Sequence, residues 1–566
     1  MSMLWATMAA ATMSPGNFLI PTGAFELFID GVEPGSIIVE MTASPKSASP
    51  ILFPFPATMA WATMAIEIPA GTIQGDITLR LSSDGKRFKP DDPVSPGYQT
   101  EGRLAQRVEV RSSIDIAPDV ESSAVISVGD VQAFDQDRWI EDKIDQYNFD
   151  GRKVRILFGP KSGTLADYRV VAEAYARDWS RDDGGRATLR LQDLQFGLER
   201  DFQAREFAGT GGLEGDAVLK GQLKPRLLGF RTHFQPVTIS IADRWWMWND
   251  GPSQGVVAAY YGGEAIPSEG DYPDLISFAS ATVSEGAYVT CKALSIGKDR
   301  PAGGIEAPFA IQAHGDNDGG YSAQLGDLIA KVFRQFANFD LTQYDAPSLA
   351  AFNIGEGGYW FDGSSRAMLK DVVERLAIDA GGRLSAGSRF QSISLRDPDT
   401  DNFDFEIKES EIRTMRLEGR ASKPVLDVVV KWKPNDLQVD EDDLVLPANN
   451  PTFKAFVQTT GESTTPRPDA RVFLRYRDYI EQVTLNTSLV TPTAVALLED
   501  RYRKFFGVER NYWELEVLSR RALLWPIGSI VKITHRNKPF VNGKNALIVK
   551  ADANYDTLRT RLRVIV

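Results

Sequence analysis

A β-rich α+β fold, built as several units, is what the sequence predicts, and three observations carry that reading. The chain has 566 residues, and at roughly 100–200 residues per domain such a length divides into about three to five folded units. From about Gly97 onward, short stretches alternate apolar with polar residues and are parted by Gly, Asp and Pro turns, the mark of half-buried strands. Three longer stretches instead place apolar residues at spacings of three and four, which suits amphipathic helices packed on sheets.

The elements follow in chain order. Phe25 to Ile29 and Ile37 to Met41 read as strands joined by the turn-rich Asp30 to Gly35. Arg107 to Val110, Ala124 to Val128, Lys153 to Phe158 and Ala187 to Leu191 keep period two, as expected of a barrel or sandwich. The first helix spans Ser322 to Asn338, with Leu325, Leu328, Ile329, Val332, Phe333 and Phe336 as its stripe. Ser364 can cap a second, in which Met368, Leu369, Val372, Val373 and Leu376 form the stripe and Gly381-Gly382 ends it. The third starts at Thr491 with Pro492 in its first turn, runs to about Phe506 and stops at Gly507. Strands return at Glu514 to Leu518, Ser529 to Ile533 and Ala546 to Val549.

Composition is uneven. Residues 1–80 hold only eight charged side chains and seven of the ten methionines, together with the repeated phrases Trp5-Ala6-Thr7-Met8-Ala9 and Trp61-Ala62-Thr63-Met64-Ala65. Two readings stay open for this segment: a surface that another chain covers, and a small β domain burying its own strands. The chain carries a net −13, but residues 500–566 hold 14 basic against 6 acidic side chains, net +8, which leaves −21 on the rest. Ends of opposite sign suit ring-like or head-to-tail association, and the acidic knot Asp436, Asp440, Glu441, Asp442 and Asp443 reads either as part of such a surface or as a solvated loop. An overall acidic balance argues against a general grip on nucleic acid.

Catalytic patterns are scarce. Cys291 is the one cysteine, so no internal disulfide forms, and His233, His314 and His535 stand far apart, leaving little for a His/Cys metal site. No Gly-x-Ser-x-Gly surrounds any of them. Gly209 to Asp216 lacks the Gly-Lys-Ser/Thr ending of a phosphate-cradling loop, and His314 to Gly319 lacks the closing glutamate of a calcium loop. The sequence therefore proposes no catalytic residue, no cofactor and no metal, and no enzymatic activity. Arg244-Trp245-Trp246-Met247-Trp248 is the local oddity: a strand buried on both faces, a subunit interface, or a platform for a ligand such as a glycan. The apolar start from Leu4 to Met13 lacks a basic flank and is closed by Pro15-Gly16, so synthesis in the cytoplasm without membrane insertion is expected.

The order of several phrases resembles one family. Gly209-Thr210-Gly211-Gly212-Leu213-Glu214-Gly215-Asp216 precedes Leu219-Lys220-Gly221-Gln222-Leu223-Lys224-Pro225-Arg226-Leu227-Leu228-Gly229. Asn249-Asp250-Gly251, Tyr260-Tyr261-Gly262-Gly263, Gly286-Ala287-Tyr288-Val289-Thr290 and Arg300-Pro301-Ala302-Gly303-Gly304-Ile305 follow, then Gly381-Gly382-Arg383-Leu384, Trp525-Pro526-Ile527-Gly528 and Gly543-Lys544-Asn545-Ala546. Together these are similar to the tail-tip or baseplate hub proteins of long-tailed bacteriophages, over about residues 100–566.

The resemblance implies a structural virion protein, a ring of three copies that continues the tail tube and gates DNA passage. Its implied partners are further copies of itself, a distal tail protein, a tape-measure protein, tip or fibre proteins, passing DNA and the host surface. Residues 1–100 depart from the family pattern and are read from their composition as a weakly charged, Met/Trp-rich interaction segment; 101–210 is then a first hub β-barrel. A β-rich middle domain covers 211–320, a small α+β domain with two helices 321–420, and a second hub β-barrel with one helix 421–566. Trp5, Trp61, Trp245, Trp246 and Trp248 are the candidate interface or ligand-platform residues. The alternative function is a tail-tip receptor- or glycan-binding protein acting through these tryptophans.

Overall fold

In the computed structural model the described residues are 35–45, 77–83, 85, 100–105, 109–114, 116, 125–160, 164–302, 308–422, 424–437, 460–464, 472, 474, 482–555 and 557–566. The expected strand at Phe25 to Ile29 and both Trp-Ala-Thr-Met repeats, with Trp5 and Trp61, lie outside the described residues.

The first strands are β1 (Gly35–Pro45), β2 (Ile77–Ser82), β3 (Glu109–Ser113), β4 (Val125–Val128), β5 (Val131–Phe134), β6 (Tyr147–Asn148), β7 (Lys153–Pro160), β8 (Arg169–Arg181) and β9 (Arg186–Gln192), with helix α1 (Trp139–Gln146) before β6. One sheet runs β2-β1-β7-β8-β9-β5, with β6 against the end of β1. Its two edges are joined by residues 101–105: Ser82 N donates to Glu101 O (2.7 Å), Leu104 N to Ser82 O (3.0 Å) and Ala105 N to Gln132 O (2.8 Å). The result is a barrel, which spares the sheet its unpaired edges. Alternation sends Val39, Met41 and Ala43 into the same core as Leu79, Leu81, Val154, Ile156 and Leu189. Each large aliphatic side chain so removed from water stabilises the fold by ~1.5–3 kcal/mol.

This barrel departs from the sequence boundary at residue 100. β1 and β2 fall in the span read as an interaction segment, yet they are two of the barrel's own staves. Ile38, on the opposite face of β1 from Val39, is itself buried against Leu157 and Tyr168. A strand covered on both faces needs few charges, and β1 itself carries only Glu40.

The middle strands are β10 (Arg226–Phe234), β11 (Val237–Ser240), β12 (Trp245–Met247), β13 (Ser253–Tyr261), β14 (Glu264–Ile266), β15 (Ser268–Asp271), β16 (Ala287–Cys291), β17 (Ile296–Arg300), β18 (Phe309–Asp316) and β19 (Gly358–Phe361). They form two five-stranded sheets, β14-β13-β18-β10-β19 and β11-β12-β17-β16-β15.

Three helices match the three apolar stripes, each with a local reason for its limits. α2 (Leu325–Lys331) gives way to a π-helical turn at Val332–Phe336, a widening often found where a helix meets a special packing demand. α3 (Leu369–Asp379) begins later than Ser364, whose hydroxyl donates to Asp362 Oδ1 at 2.8 Å in a turn before the helix; at the helix start Asp371 Oδ2 accepts from Met368 N at 3.2 Å. α4 (Pro492–Phe506) starts after Thr491 and ends at Gly507, as its stop signals predict.

The remaining strands are β20 (Gly382–Ala386), β21 (Phe390–Ser394), β22 (Phe405–Lys408), β23 (Ile412–Ser422), β24 (Asp427–Pro434), β25 (Thr460–Ser463), β26 (Gln482–Asn486), β27 (Arg510–Val517), β28 (Ile530–Thr534), β29 (Lys544–Asn554) and β30 (Arg559–Ile565). The C-terminal sheet runs β22-β28-β29-β30-β27-β23, and β3 and β4 join it through β29. Those two strands thus leave the 101–210 span for the opposite end of the chain. All three helices contribute to one large core with this sheet, through Leu328, Val372, Leu498, Leu515 and Ile548 among others.

Candidate functional site: a buried polar junction in the middle of the chain

The glycine-rich phrase beginning at Gly209 folds as a compact loop. Gly209 has φ +70°, and a Cβ there would come within 2.7 Å of Lys220 Cβ; Gly215 has φ +68° and would meet Leu219 Cδ1 at 2.7 Å. Both demands favour glycine. Across the loop Lys224 Nζ donates to Glu214 Oε1 at 2.7 Å, and this bond holds the Glu214 carboxyl below its ordinary pKa. Glu214 of this phrase and Lys224 of the next are therefore partners in one structural clasp.

Beyond the clasp lies a chain of buried ions. Asp250 accepts from Gln203 Nε2 (3.0 Å) and faces Arg226 Nη2 (3.7 Å) within the chain and the exposed Arg205 Nη1 (3.1 Å) at its outer end. Arg226 also reaches Asp316 Oδ2 at 3.4 Å, its guanidinium 4.7 Å from the centre of the Phe336 ring. Lys331 closes the series, Nζ donating to Asp316 O (2.7 Å), Asp316 Oδ1 (3.2 Å) and Gly320 O (3.3 Å). Burial pushes the pKa values of Arg226 and Lys331 down, and the Asp316 charge opposes that push. The π-helical turn directly follows Lys331 and carries Phe336.

This arrangement bears on the calcium reading of His314 to Gly319. The Asp316 carboxylate already faces an ammonium and a guanidinium, while His314 Nδ1 is bonded to Tyr321 Oη. Among the described residues there is no group of three or more His, Cys, Asp or Glu side chains placed to hold a metal ion. The same segment is strand up to Asp316.

The tryptophan phrase is divided between two cores. Trp245 and Met247 pack with Phe278, Val289 and Ile296, whereas Trp246 and Trp248 pack with Phe234, Ile311 and Ala313 on the other side. Trp246 is 2% and Trp248 0% exposed. The Trp246 indole donates to Asp299 Oδ1 at 3.1 Å, and Asp299 also accepts from Arg244 Nε (3.1 Å) and Tyr261 Oη. Burial, with Asp299 alongside, raises the pKa of Tyr261, so its hydroxyl stays a donor. Gly297 lies against the Trp246 ring: a Cβ there would come within 2.2 Å of it. Asn249 finishes the joint, Oδ1 accepting from Leu227 N at 3.1 Å and Nδ2 donating to Gly251 O and Pro252 O.

The acidic knot is met only in part. Asp436 makes a two-pronged ion pair with Arg231 at 2.6 Å on both arms; Asp440, Glu441, Asp442 and Asp443 lie outside the described residues. Sequence reasoning missed Gln203, Arg226, Asp299 and Lys331 as members of the junction. For Lys331 no signal existed, since a lysine beside a helical stripe ordinarily reads as solvated.

What the junction can do is hold shape. Its charged groups are neutralised by one another at hydrogen-bond or ion-pair distance, and no helix among the described residues is long and apolar enough to cross a membrane.

No family model matches the sequence, and no curated protein does. Solved structures do. The 43 kDa tail protein of prophage MuSo2 from Shewanella oneidensis is 11% identical, with 83% of this chain and 95% of that one covered at a TM-score of 0.35. A tail protein from Neisseria meningitidis MC58 is 8% identical, with 83% and 93% covered at 0.35. A prophage tail protein, gp18, from Listeria monocytogenes EGD-e is 8% identical, with 87% and 91% covered at 0.34. All three of these structures are phage or bacterial tail proteins, and each alignment spans most of both chains.

Proposed function

We propose that the chain is a structural virion protein: a hub at the distal end of a phage tail, assembled as a ring of three, that joins the tail tube to tip or fibre proteins and gates DNA passage. It works by assembly and opening, without turnover. The observation that carries this reading is the junction. The phrases that resemble the hub family, Glu214 to Lys224 and Asn249 to Gly251 above all, form internal clasps and turns, which suits a chain whose work is mechanical. The barrel closed by residues 101–105 supports the first hub barrel and extends it to β1. The burial of Trp246 and Trp248 favours this reading over one in which the tryptophans bind glycan.

The acidic balance of residues 1–499 suits a conduit wall, because negative charge repels DNA phosphates. Electron microscopy of particles carrying a tagged chain tests the placement: density for three copies at the tail end is expected, and label along the tail shaft or on the capsid overturns it. Sedimentation of the purified chain tests the ring, with a species of three times the 62.5 kDa chain mass expected.

A further inference from the structure

The two ends of the chain exchange parts. After Ala105, whose N–H is bonded to Gln132 in the first barrel, the chain leaves that barrel, forms β3 and β4, and re-enters at β5. β3 lies antiparallel along β29, with Glu109 opposite Asn554 and Ser113 opposite Lys550. Ser112 Oγ donates to Ala551 O at 3.2 Å, a contact between residues 439 positions apart. Ile114 N extends the ladder to Val549 O at 2.8 Å. Val128, at the base of this hairpin, is buried in the first barrel's core, whereas Ile114 is buried in the large core of the C-terminal sheet.

Traffic runs the other way as well. Tyr555, just beyond the end of β29, is 2% exposed and sits in the first barrel's core together with Leu523 and Ala553. Its ring meets Phe158 of β7 edge-on, with centroids 4.8 Å apart, and its hydroxyl donates to Leu523 O at 3.2 Å.

We propose that this two-way exchange is a lock, so that the first barrel and the C-terminal sheet open and unfold as one body. Pulling them apart would strip the β3 backbone from β29, leaving donors and acceptors unmet in a partly apolar seam, and would draw Tyr555 out of its core. Ordinary domains joined by a linker separate with neither cost. Any opening of the molecule then has to be sought outside these two units, which move together. The lock stands or falls independently of the tail reading.

Native-state hydrogen exchange on the full chain tests it. Leu189→Ala weakens the first barrel in β9, a strand with no ladder to the C-terminal sheet. With a lock, the protection of β9 and β30 amides falls by the same factor. A tenfold or greater loss in β9 with β30 unchanged overturns the proposal. In a Tyr555→Ala background the same change is expected to affect β9 more than β30. Should that variant fail to fold, exchange of the wild-type chain in rising sub-denaturing urea decides: amides of β9 and β30 converging on one opening curve support the lock, and separate curves refute it.

Discussion

The first barrel and the middle junction hold themselves together by opposite means. The barrel core is aliphatic, Val39, Leu81, Val154, Ile156 and Leu189 among its members, and Glu40 sits outside it on a rung between Arg80 and Arg155. The junction instead sets Asp250, Asp316, Arg226 and Lys331 in series below the surface. Apolar packing is forgiving of detail and indifferent to pH. Buried ions are neither: each attraction is offset by lost hydration, and removing one member strands another. The lesson is that the barrel is stabilised by quantity of surface, the junction by completeness of a set.

Breaking the set has the largest expected effect. Asp316→Ala leaves Lys331 and Arg226 facing each other without their shared carboxylate, and a loss of about 3–5 kcal/mol is expected in urea unfolding. Adding Lys331→Met should recover part of that loss; a double variant no better than the single would show that completeness is not what matters. In the barrel, Leu189→Ala is expected to cost about 2–5 kcal/mol through transfer and cavity, with the same loss at pH 5 and pH 8.

The comparison sharpens with pH. His233 is 9% exposed, and burial, with Lys433 nearby, depresses its pKa to about 4. A base with a depressed folded pKa contributes stability that is full above its unfolded value, about 6.5, and is lost as pH falls through the folded one. Roughly 3 kcal/mol is therefore at stake between pH 6.5 and 4. Burial raises the pKa of Asp379 and of Glu173, and these acids act in the opposite direction over an overlapping range. The difference between wild type and His233→Gln isolates the histidine: a difference that does not change with pH would contradict it. The smallest effect is expected from Gly297→Ala. Its Cβ would enter the Trp246 ring, overpacking that costs about 1–3 kcal/mol and that should lower the melting temperature without altering the pH profile.

How much of this was legible varies by element. α4 could be read to its ends because Pro492 and Gly507 act locally. The stripe of the first helix was legible too, but the switch to a π-helical turn after Lys331 was not, since both helix types carry the same apolar pattern over five residues. α3 began late, at Leu369, with Asp371 accepting from Met368 N, while Ser364 sits in a turn bonded to Asp362, and the sequence offers both starts as plausible local turns. For the tryptophan phrase, alternation placed Trp246 and Trp248 opposite Trp245 and Met247; what covered each face was not written in it.

By itself the sequence determined the period of each segment, the positions where glycine or proline stops it, and the balance of strand over helix. These are short-range consequences of sterics and of burial on one face or two, set within about ten residues. Only the tertiary structure decided that β1 and β2 belong to the first barrel, that β3 lies on β29, and that Lys331 meets Asp316. Such pairings join residues that are up to hundreds of positions apart and whose local patterns fit other partners equally well. Which one forms depends on the whole set of surfaces and charges being satisfied together.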